Sequence, residues 1–265
     1  MLPGVIPGTP ADTISRGSAG LRLVMRAAQR MVNVARLGVG TSRAQVVFWP
    51  ASVRYMDFHF DVNQPIAGTV WPASVRSLSF GNGFDQALDR AVWPSSLHQL
   101  SFGRNFNQPI SRVVCPTSLQ QLSFRRNFNN PIAGGFWPAS LTQLSLGFSF
   151  NQQIAGVLWP TLQQKLAFGH SFNLPIVGIA WPASLQHVSF GRDFNQPISE
   201  VVWPASLQQV SFGWDFNQPI VRVKWPTALR QLSFGGEFNQ PISGVVWPAC
   251  LQPLSVAWDF QPAYR

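Results

Sequence analysis

Residues suited to acid–base, nucleophilic or metal chemistry are few and dispersed along this 265-residue chain. The nearest carboxylate pairs are four residues apart in turn-rich segments, an arrangement that points the two groups away from each other. No Gly-rich phosphate-binding loop occurs. The His residues are too scattered for a metal site or a catalytic triad; they are His59, His98, His170 and His187. We therefore expect no catalytic residue, no metal ion and no cofactor, and the sequence predicts a protein that is not an enzyme.

The composition is that of a folded, apolar-rich chain. Hydrophobic residues make up 46% of the sequence and charged residues 11%, a balance that excludes disorder over most of the length despite 22 Pro and 21 Gly. Pro and Gly recur so often that no run approaches the roughly 20 apolar residues of a membrane span. The two Cys, Cys115 and Cys250, do not make a disulfide framework. A transmembrane protein and a disulfide scaffold are both excluded.

A 22-residue repeat runs from residue 49 to the end of the chain. We call each repeat a coil and number its positions 1 to 22, starting from the residue before its first Pro. The common form is W-P-A-S-L-Q-Q-L-S-F-G-x-x-F-N-Q-P-I and four mostly small or apolar residues, and most Phe and Trp fall at positions 1, 10 and 14. Coils 1 to 10 begin at Trp49, Trp71, Trp93, Cys115, Trp137, Trp159, Trp181, Trp203, Trp225 and Trp247.

Each coil has the pattern of one short β-strand. Apolar residues at positions 8 and 10 alternate with polar residues at positions 7 and 9, which is typical of a half-buried strand. Gly at position 11 ends the strand, and Pro at positions 2 and 17 leaves no window for a helix. One coil cannot bury enough apolar surface to offset the ordering of its backbone, so the coils must stack. We expect a mainly β repeat solenoid of about ten coils, with one short parallel strand per coil.

The polar residue that recurs most strictly is Asn at position 15. Its side chain carries donors and an acceptor, so stacked copies are able to satisfy the backbone of the turn and one another. A repeated position of this kind predicts a structural Asn ladder rather than a ligand site. The predicted members are Asn63, Asn107, Asn129, Asn151, Asn173, Asn195, Asn217 and Asn239.

The motif F-N-Q-P-I, followed after four residues by a hydrophobic-Pro pair and then by S-L-x-x-L-x-F-G, resembles the FNIP repeat family, 22-residue relatives of leucine-rich repeats. A clear instance is Phe194, Asn195, Pro197 and Ile198. Trp before the second Pro, as at Trp203, departs from the family's usual Ile or Leu and indicates a thicker core. The resemblance covers residues 49–265. It implies a leucine-rich-repeat-like solenoid that has no enzymatic activity of its own and binds other proteins.

Residues 1–48 form a separate, Arg-rich extension with six Arg and one acidic residue. Residues 19–37 have the pattern of an amphipathic helix, with Arg22, Arg26 and Arg30 at four-residue spacing. Three interpretations stay open: a short N-terminal helix that caps the first coil, an organellar transit peptide, and a helix that lies on a membrane surface. We expect a cytoplasmic protein under the first interpretation and an organellar one under the second.

Position 12 varies from coil to coil on an otherwise uniform scaffold. Aromatic residues and Arg are enriched in binding hot spots, so this column predicts a partner-binding face; the alternative is a turn position that tolerates any residue. Asn82 and Gly236 complete the column. The predicted partner-binding residues are Phe60, Arg104, Arg126, Phe148, His170, Arg192, Trp214 and Trp258.

These features predict that the partner is another protein and that this chain binds it as a monomer. Nucleic acid is the rival suggested by the isoelectric point near 11.2, but residues 49–265 carry 13 basic and 9 acidic residues without a dense basic stripe. A third alternative is a repetitive surface such as polysaccharide or ice, which the regular Ser and Gln at positions 9 and 7 would match.

Overall fold

The computed structural model describes residues 12–17, 20–25, 52–58, 62–135, 137–252 and 255–256. Its strands form one twelve-stranded sheet in which they follow one another in chain order. The first pair is antiparallel and all later pairs are parallel. The strands are β1 (Asp12–Gly17), β2 (Gly20–Met25), β3 (Val53–Phe58), β4 (Ser77–Ser79), β5 (Gln99–Ser101), β6 (Gln121–Ser123), β7 (Gln143–Ser145), β8 (Lys165–Ala167), β9 (His187–Ser189), β10 (Gln209–Ser211), β11 (Gln231–Phe234) and β12 (Ser255–Val256).

Strands β4 to β10 occupy positions 7 to 9 of consecutive coils. The middle residue of each strand, Leu or Val, is buried, and the residues on either side of it face outward. Each residue of a strand pairs with the residue at the same position of the next coil, as Leu78 does with Leu100 and Leu100 with Leu122. The predicted parallel solenoid with one strand per 22-residue coil is confirmed.

The solenoid has about eight coils, fewer than the ten expected. Coils 2 to 9, residues 71–246, are complete apart from Phe136, which lies outside the described residues. The ends of the repeat region depart from the common form. Pro253, at position 7 of coil 10, has no N–H to donate to a sheet, and β12 is only two residues long.

The predicted N-terminal helix is wrong over the described residues. Residues 20–25, placed in that helix, form strand β2, which pairs antiparallel with β1 and parallel with β3. Leu21 and Leu23 alternate with Arg22 and Val24, a pattern that suits a strand as well as a helix face. The open edge of β3 supplies the backbone partners that favour the strand. The rest of the predicted helix lies outside the described residues.

The core consists of aromatic columns that run along the solenoid axis. Ring centroids of successive Phe at position 14 are 6.1–6.2 Å apart, and those of Phe at position 10 are 5.1–5.5 Å apart. The Trp rings at position 1 stack at 6.0–6.5 Å, whereas neighbouring strands of a sheet are about 4.8 Å apart. Each coil is therefore a wedge that is thinner at its strand, and the sheet lies on the concave side.

Ser at position 4 ties a coil to the one before it in six of the eight complete coils, coils 6 and 9 being the exceptions. Its hydroxyl donates to the carbonyl oxygen at position 5 of the preceding coil, as Ser96 does to Val75 over 2.6 Å and Ser206 to Leu185 over 2.7 Å. In coil 6 the sequence is altered at this point. Leu162 is exposed and Gln163 fills the buried position 5, where its amide donates to the carbonyl of Lys165. The stack thus absorbs a polar residue in the core without losing register.

Candidate functional site

The outward side chains of the strands line an open groove of about 540 Å³ on the concave face of the sheet. Positions 7 and 9 supply most of the lining, and residues at position 8, whose side chains are buried, contribute the remainder. The groove crosses the seven strands β4 to β10, and Ser and Gln provide most of its polar side chains. Its floor therefore presents hydroxyl and amide groups at regular spacing to any molecule that lies along the solenoid axis.

The position-12 column runs beside this groove, just beyond the end of each strand. Backbone hydrogen bonds hold the column together, because the N–H at position 13 donates to the carbonyl at position 12 of the preceding coil over 2.8–3.0 Å. Phe148 and Trp214 are 43% and 48% exposed, and the described Arg members are exposed as well. Two predicted members, Phe60 and Trp258, lie outside the described residues.

Side chains within the column contact one another from coil to coil. The guanidinium carbon of Arg126 lies 5.2 Å from the ring centroid of Phe148, and the Phe148 ring stacks on His170 with centroids 4.1 Å apart. These contacts were not predicted from the sequence, because they depend on which different residues follow one another at a variable position. The three side chains form one continuous surface rather than three separate ones.

Charged contacts continue the column toward the C-terminal coils. Arg192 Nε lies 3.7 Å from Asp215 Oδ1, and Trp214 Nε1 donates to Glu237 Oε1 over 3.2 Å. His170 Nδ1 is 3.2 Å from Asp193 Oδ1 without hydrogen-bond alignment, so this contact is an ion pair only when the imidazole is protonated. Each carboxylate comes from position 13 of the following coil.

Position 15 makes a second column, on which the side-chain oxygens accept two kinds of hydrogen bond. The backbone N–H at position 15 of the next coil donates to each oxygen over 2.8–3.1 Å. The amide at position 16 of the next coil donates as well in most coils, as Gln218 does to Asn195 over 2.9 Å. Asp85 takes the place of Asn in coil 2 and accepts in the same way. This column joins coils and leaves the side-chain oxygens occupied.

Two features of the surface were missed in the sequence. The Ser and Gln of positions 9 and 7 line a concave groove, whereas their regularity in the sequence had suggested only a match to a repetitive surface. The Ser at position 4 bonds to the preceding coil, and its recurrence was the signal that would have identified it. Concavity has no sequence signal of its own, because it depends on the different spacings of the aromatic columns.

Coil 4 contains a packing defect at its first position. Cys115 stands where the other complete coils have Trp, and Gly135 lines the same cavity. Together they leave an apolar cavity of about 20 Å³, about the size of one water molecule. Burial raises the pKa of the Cys115 thiol to about 11. Cys115 and Cys250 are both free thiols, and Cys250 is exposed.

The described residues hold no group of three or more His, Cys, Asp and Glu side chains arranged to bind a metal ion. The same part of the chain contains no helix with the length and apolarity needed to cross a membrane. What the surface offers is hydrogen bonding along the groove and aromatic and cationic contacts along the position-12 column.

This architecture, with one short parallel strand per coil and a concave sheet, defines a leucine-rich-repeat-like solenoid. The family model described as FNIP Repeat matches residues 63–105, 84–127, 128–164 and 172–215, more than half of the chain. The chain belongs to the FNIP repeat family, which confirms the resemblance inferred from the sequence.

A solved structure described as that of "CroV588 a novel circular LRR protein structure" is 39% identical to this chain, with a TM-score of 0.74 over 81% of this chain. The match covers 35% of that protein, so this chain corresponds to about a third of its length. A leucine-rich repeat protein from Bacteroides ovatus ATCC 8483 aligns over 90% of both chains at 12% identity and a TM-score of 0.22. The comparison with curated proteins gives no match.

Proposed function

We propose that this chain is a non-enzymatic scaffold that binds another protein through its concave groove and the adjacent position-12 column. The observation that carries the proposal is a contrast between positions. Buried positions and the groove floor repeat from coil to coil, whereas position 12 changes in size, aromaticity and charge. A partner is distinguished by surface residues that vary on a fixed scaffold.

The chemistry of the face supports a polypeptide partner. Amide and hydroxyl groups on the floor complement the N–H and C=O groups of an extended peptide backbone. Phe148, Arg192 and Trp214 belong to the residue types that dominate binding energy in protein interfaces. Scaffolds of this fold family are typically non-enzymatic, which agrees with the proposal.

Affinity capture from a lysate of the native cell tests this function. The full chain is compared with a triple variant, Phe148→Ala, Arg192→Ala and Trp214→Ala, and with a control variant, Val92→Ser and Val202→Ser. The control residues are 66% and 81% exposed at position 22, half a coil from position 12. We expect the wild type and the control to retain the same proteins and the triple variant to lose them while keeping its circular dichroism spectrum.

Retention of the same proteins by all three chains would show that the proposed face is not the binding face. Retention of nucleic acid in place of protein, with affinity that falls steeply as salt rises, would replace the proposal with nucleic-acid binding. The cytoplasmic location and the monomeric state stay predictions, and light scattering after size-exclusion chromatography tests the second.

A further inference from the structure

Coil 4 departs from the other complete coils at position 11. The other seven have Gly there, and coil 4 has Arg125. A Cβ atom on Gly103 would lie 2.1 Å from the carbonyl oxygen of Gly81, and one on Gly191 would lie 2.0 Å from that of Gly169. Successive coils therefore approach too closely at this position for a side chain. An arginine here has a structural cost.

The hydrogen bonds around Arg125 reflect that cost. In six complete coils the N–H of position 14 donates to the carbonyl of position 11 over 3.0–3.4 Å. Within the described residues, coils 3 and 4 lack this bond, and these are the two coils whose backbones meet at Arg125. The Arg125 carbonyl accepts instead from the N–H of Phe148 over 2.8 Å. A local departure from the scaffold that adds a cation is the kind of feature found at functional sites.

Three exposed arginines lie at positions 11 and 12 of the adjacent coils 3 and 4, namely Arg104, Arg125 and Arg126. A backbone hydrogen bond of 2.9 Å joins position 12 of coil 3 to position 13 of coil 4. In the part of the chain that the structure describes, none of the three has a carboxylate within ion-pair distance, whereas Arg192 has Asp215. Position 13 explains the difference, because it is Asn or Ser in coils 3 to 6 and acidic in coils 7 to 9.

The aromatic neighbours of Arg126 hold its side chain at the surface. Its guanidinium lies over the Phe148 ring, which is itself supported by the stacked His170. A planar guanidinium held on a ring keeps its edge N–H groups available for two parallel hydrogen bonds to a carboxylate. Less side-chain entropy is then lost on binding than for a free arginine.

The surroundings favour a polypeptide over a polynucleotide. Lys165 is the only Lys or Arg among the residues that line the groove, so a phosphate chain lying in it would find few counter-charges. A polynucleotide that followed the position-12 column would also meet Asp193, Asp215 and Glu237 in the later coils. A peptide whose negative charge is confined to one stretch meets neither obstacle.

We propose that Arg104, Arg125 and Arg126 bind a carboxylate-rich segment of a protein partner, whose backbone continues along the groove. This inference rests on the proposed scaffold function and specifies the chemistry of the partner. Arg125 adds a cation at a position that the other complete coils keep as glycine, and the neutral residues at position 13 leave all three charges available to the ligand.

A fluorescein-labelled hexaglutamate peptide, followed by fluorescence anisotropy at low salt with the full chain, tests the site. Hexaglutamine is the neutral control. We expect Arg125→Gly and Arg126→Gln to weaken hexaglutamate binding at least about tenfold. The control Arg222→Gln removes an exposed arginine at position 20 of coil 8, outside the groove and the position-12 column, and is expected to leave binding unchanged. Because Arg125→Gly restores the residue of the other coils, its melting temperature is expected to equal or exceed that of the wild type. Loss of binding would then not reflect misfolding.

Three results would overturn the inference: no preference for hexaglutamate over hexaglutamine, equal affinity of wild type and Arg125→Gly, or tighter binding of an oligothymidylate of the same charge. If captured proteins are lost with the Phe148, Arg192 and Trp214 substitutions but hexaglutamate binding ignores the arginines, the scaffold function stands and this site does not. If hexaglutamate binding depends on the arginines but no protein is captured, the site stands and the proposed use of it fails.

Discussion

At the scale of single residues, the oxygen at position 15 illustrates why one amide can matter so much in a repeat. Asn195 Oδ1 accepts from the backbone N–H of Asn217 over 3.0 Å and from the side chain of Gln218 over 2.9 Å. The backbone N–H of Asn217 lies outside any strand or helix, so neither a sheet nor a helix provides an acceptor for it. Removing the acceptor therefore affects the coil that follows, not only the coil that contains it.

We predict that Asn195→Ala lowers the free energy of unfolding by about 1–3 kcal/mol, because it leaves a backbone donor without a partner. Ser189→Ala, in the groove floor of the same coil, is the matched control, since Ala167 already occupies the equivalent position in coil 6. Urea denaturation followed by circular dichroism measures both. Equal shifts in the two variants would contradict a structural role for the position-15 oxygen.

The roles of some of these residues could be predicted from the sequence and those of others could not, for a physical reason. The Asn column was predictable because a polar side chain that recurs at a fixed position meets its own copies in a stack. The contact of Arg126 with Phe148 was not, because it depends on which different residues succeed one another at a variable position. The cavity beside Cys115 was likewise not predictable, because Cys115 and Gly135 are 20 residues apart and come to line one cavity only after folding.

At the scale of the element, the interface between two successive coils is what repeats along the solenoid. The backbones of the two coils approach each other most closely at position 11. The repeat period predicted each strand, since the alternation over positions 7 to 10 survives in seven of the eight complete coils and only Ala167 in coil 6 departs from it. It did not predict β2, because residues 20–25 lie outside the repeat and are compatible with either structure. Their conformation is set by the neighbouring strand edge, a tertiary partner that local sequence does not reveal.

We predict that Gly191→Ala destabilises the chain by about 3 kcal/mol or more, because the new Cβ meets the backbone of the preceding coil, which cannot move aside. Gly178→Ala is the control, with φ of +76° and no atom within 4 Å of an added Cβ, and its conformational cost is about 1–2 kcal/mol. Thermal unfolding ranks the two variants. A larger loss in Gly178→Ala would show that backbone conformation, not close approach, determines the choice of glycine.

At the scale of the whole molecule, stability is distributed along a line of interfaces, so the weakest coil determines where the solenoid opens. Coil 4 has a cavity lined by Cys115 and by Gly135, which has no side chain to fill it. In the described part of the chain it also lacks the backbone hydrogen bond between positions 14 and 11, where Arg125 replaces glycine. Its contacts with coils 3 and 5 are therefore poorer than those between coils 7 and 8, where the Trp, Val and Gly of the common form are all present.

We predict that hydrogen exchange in peptides spanning 115–135 is faster than in peptides spanning 181–202, because opening at coil 4 requires less free energy. At pH 8 a thiol reagent is expected to label the exposed Cys250 at once and Cys115 much more slowly, since the Cys115 thiol is half-buried and its raised pKa keeps it protonated. Cys115→Trp restores the common residue and is expected to slow exchange in this segment. Uniform protection from coil 2 to coil 9 would contradict a weak point.

The unequal spacing of the aromatic columns also governs how such a chain can lengthen during evolution. A straight stack would accept any number of duplicated units, because each new one would simply extend the rod. Wedge-shaped coils instead turn the axis by a similar angle at every duplication, so added length is added rotation, and in a stack that curves in one plane the last unit reaches the first after one full circuit. Duplication within the gene therefore has a geometric ceiling, and the copy number decides whether the product is an open arc or a closed band.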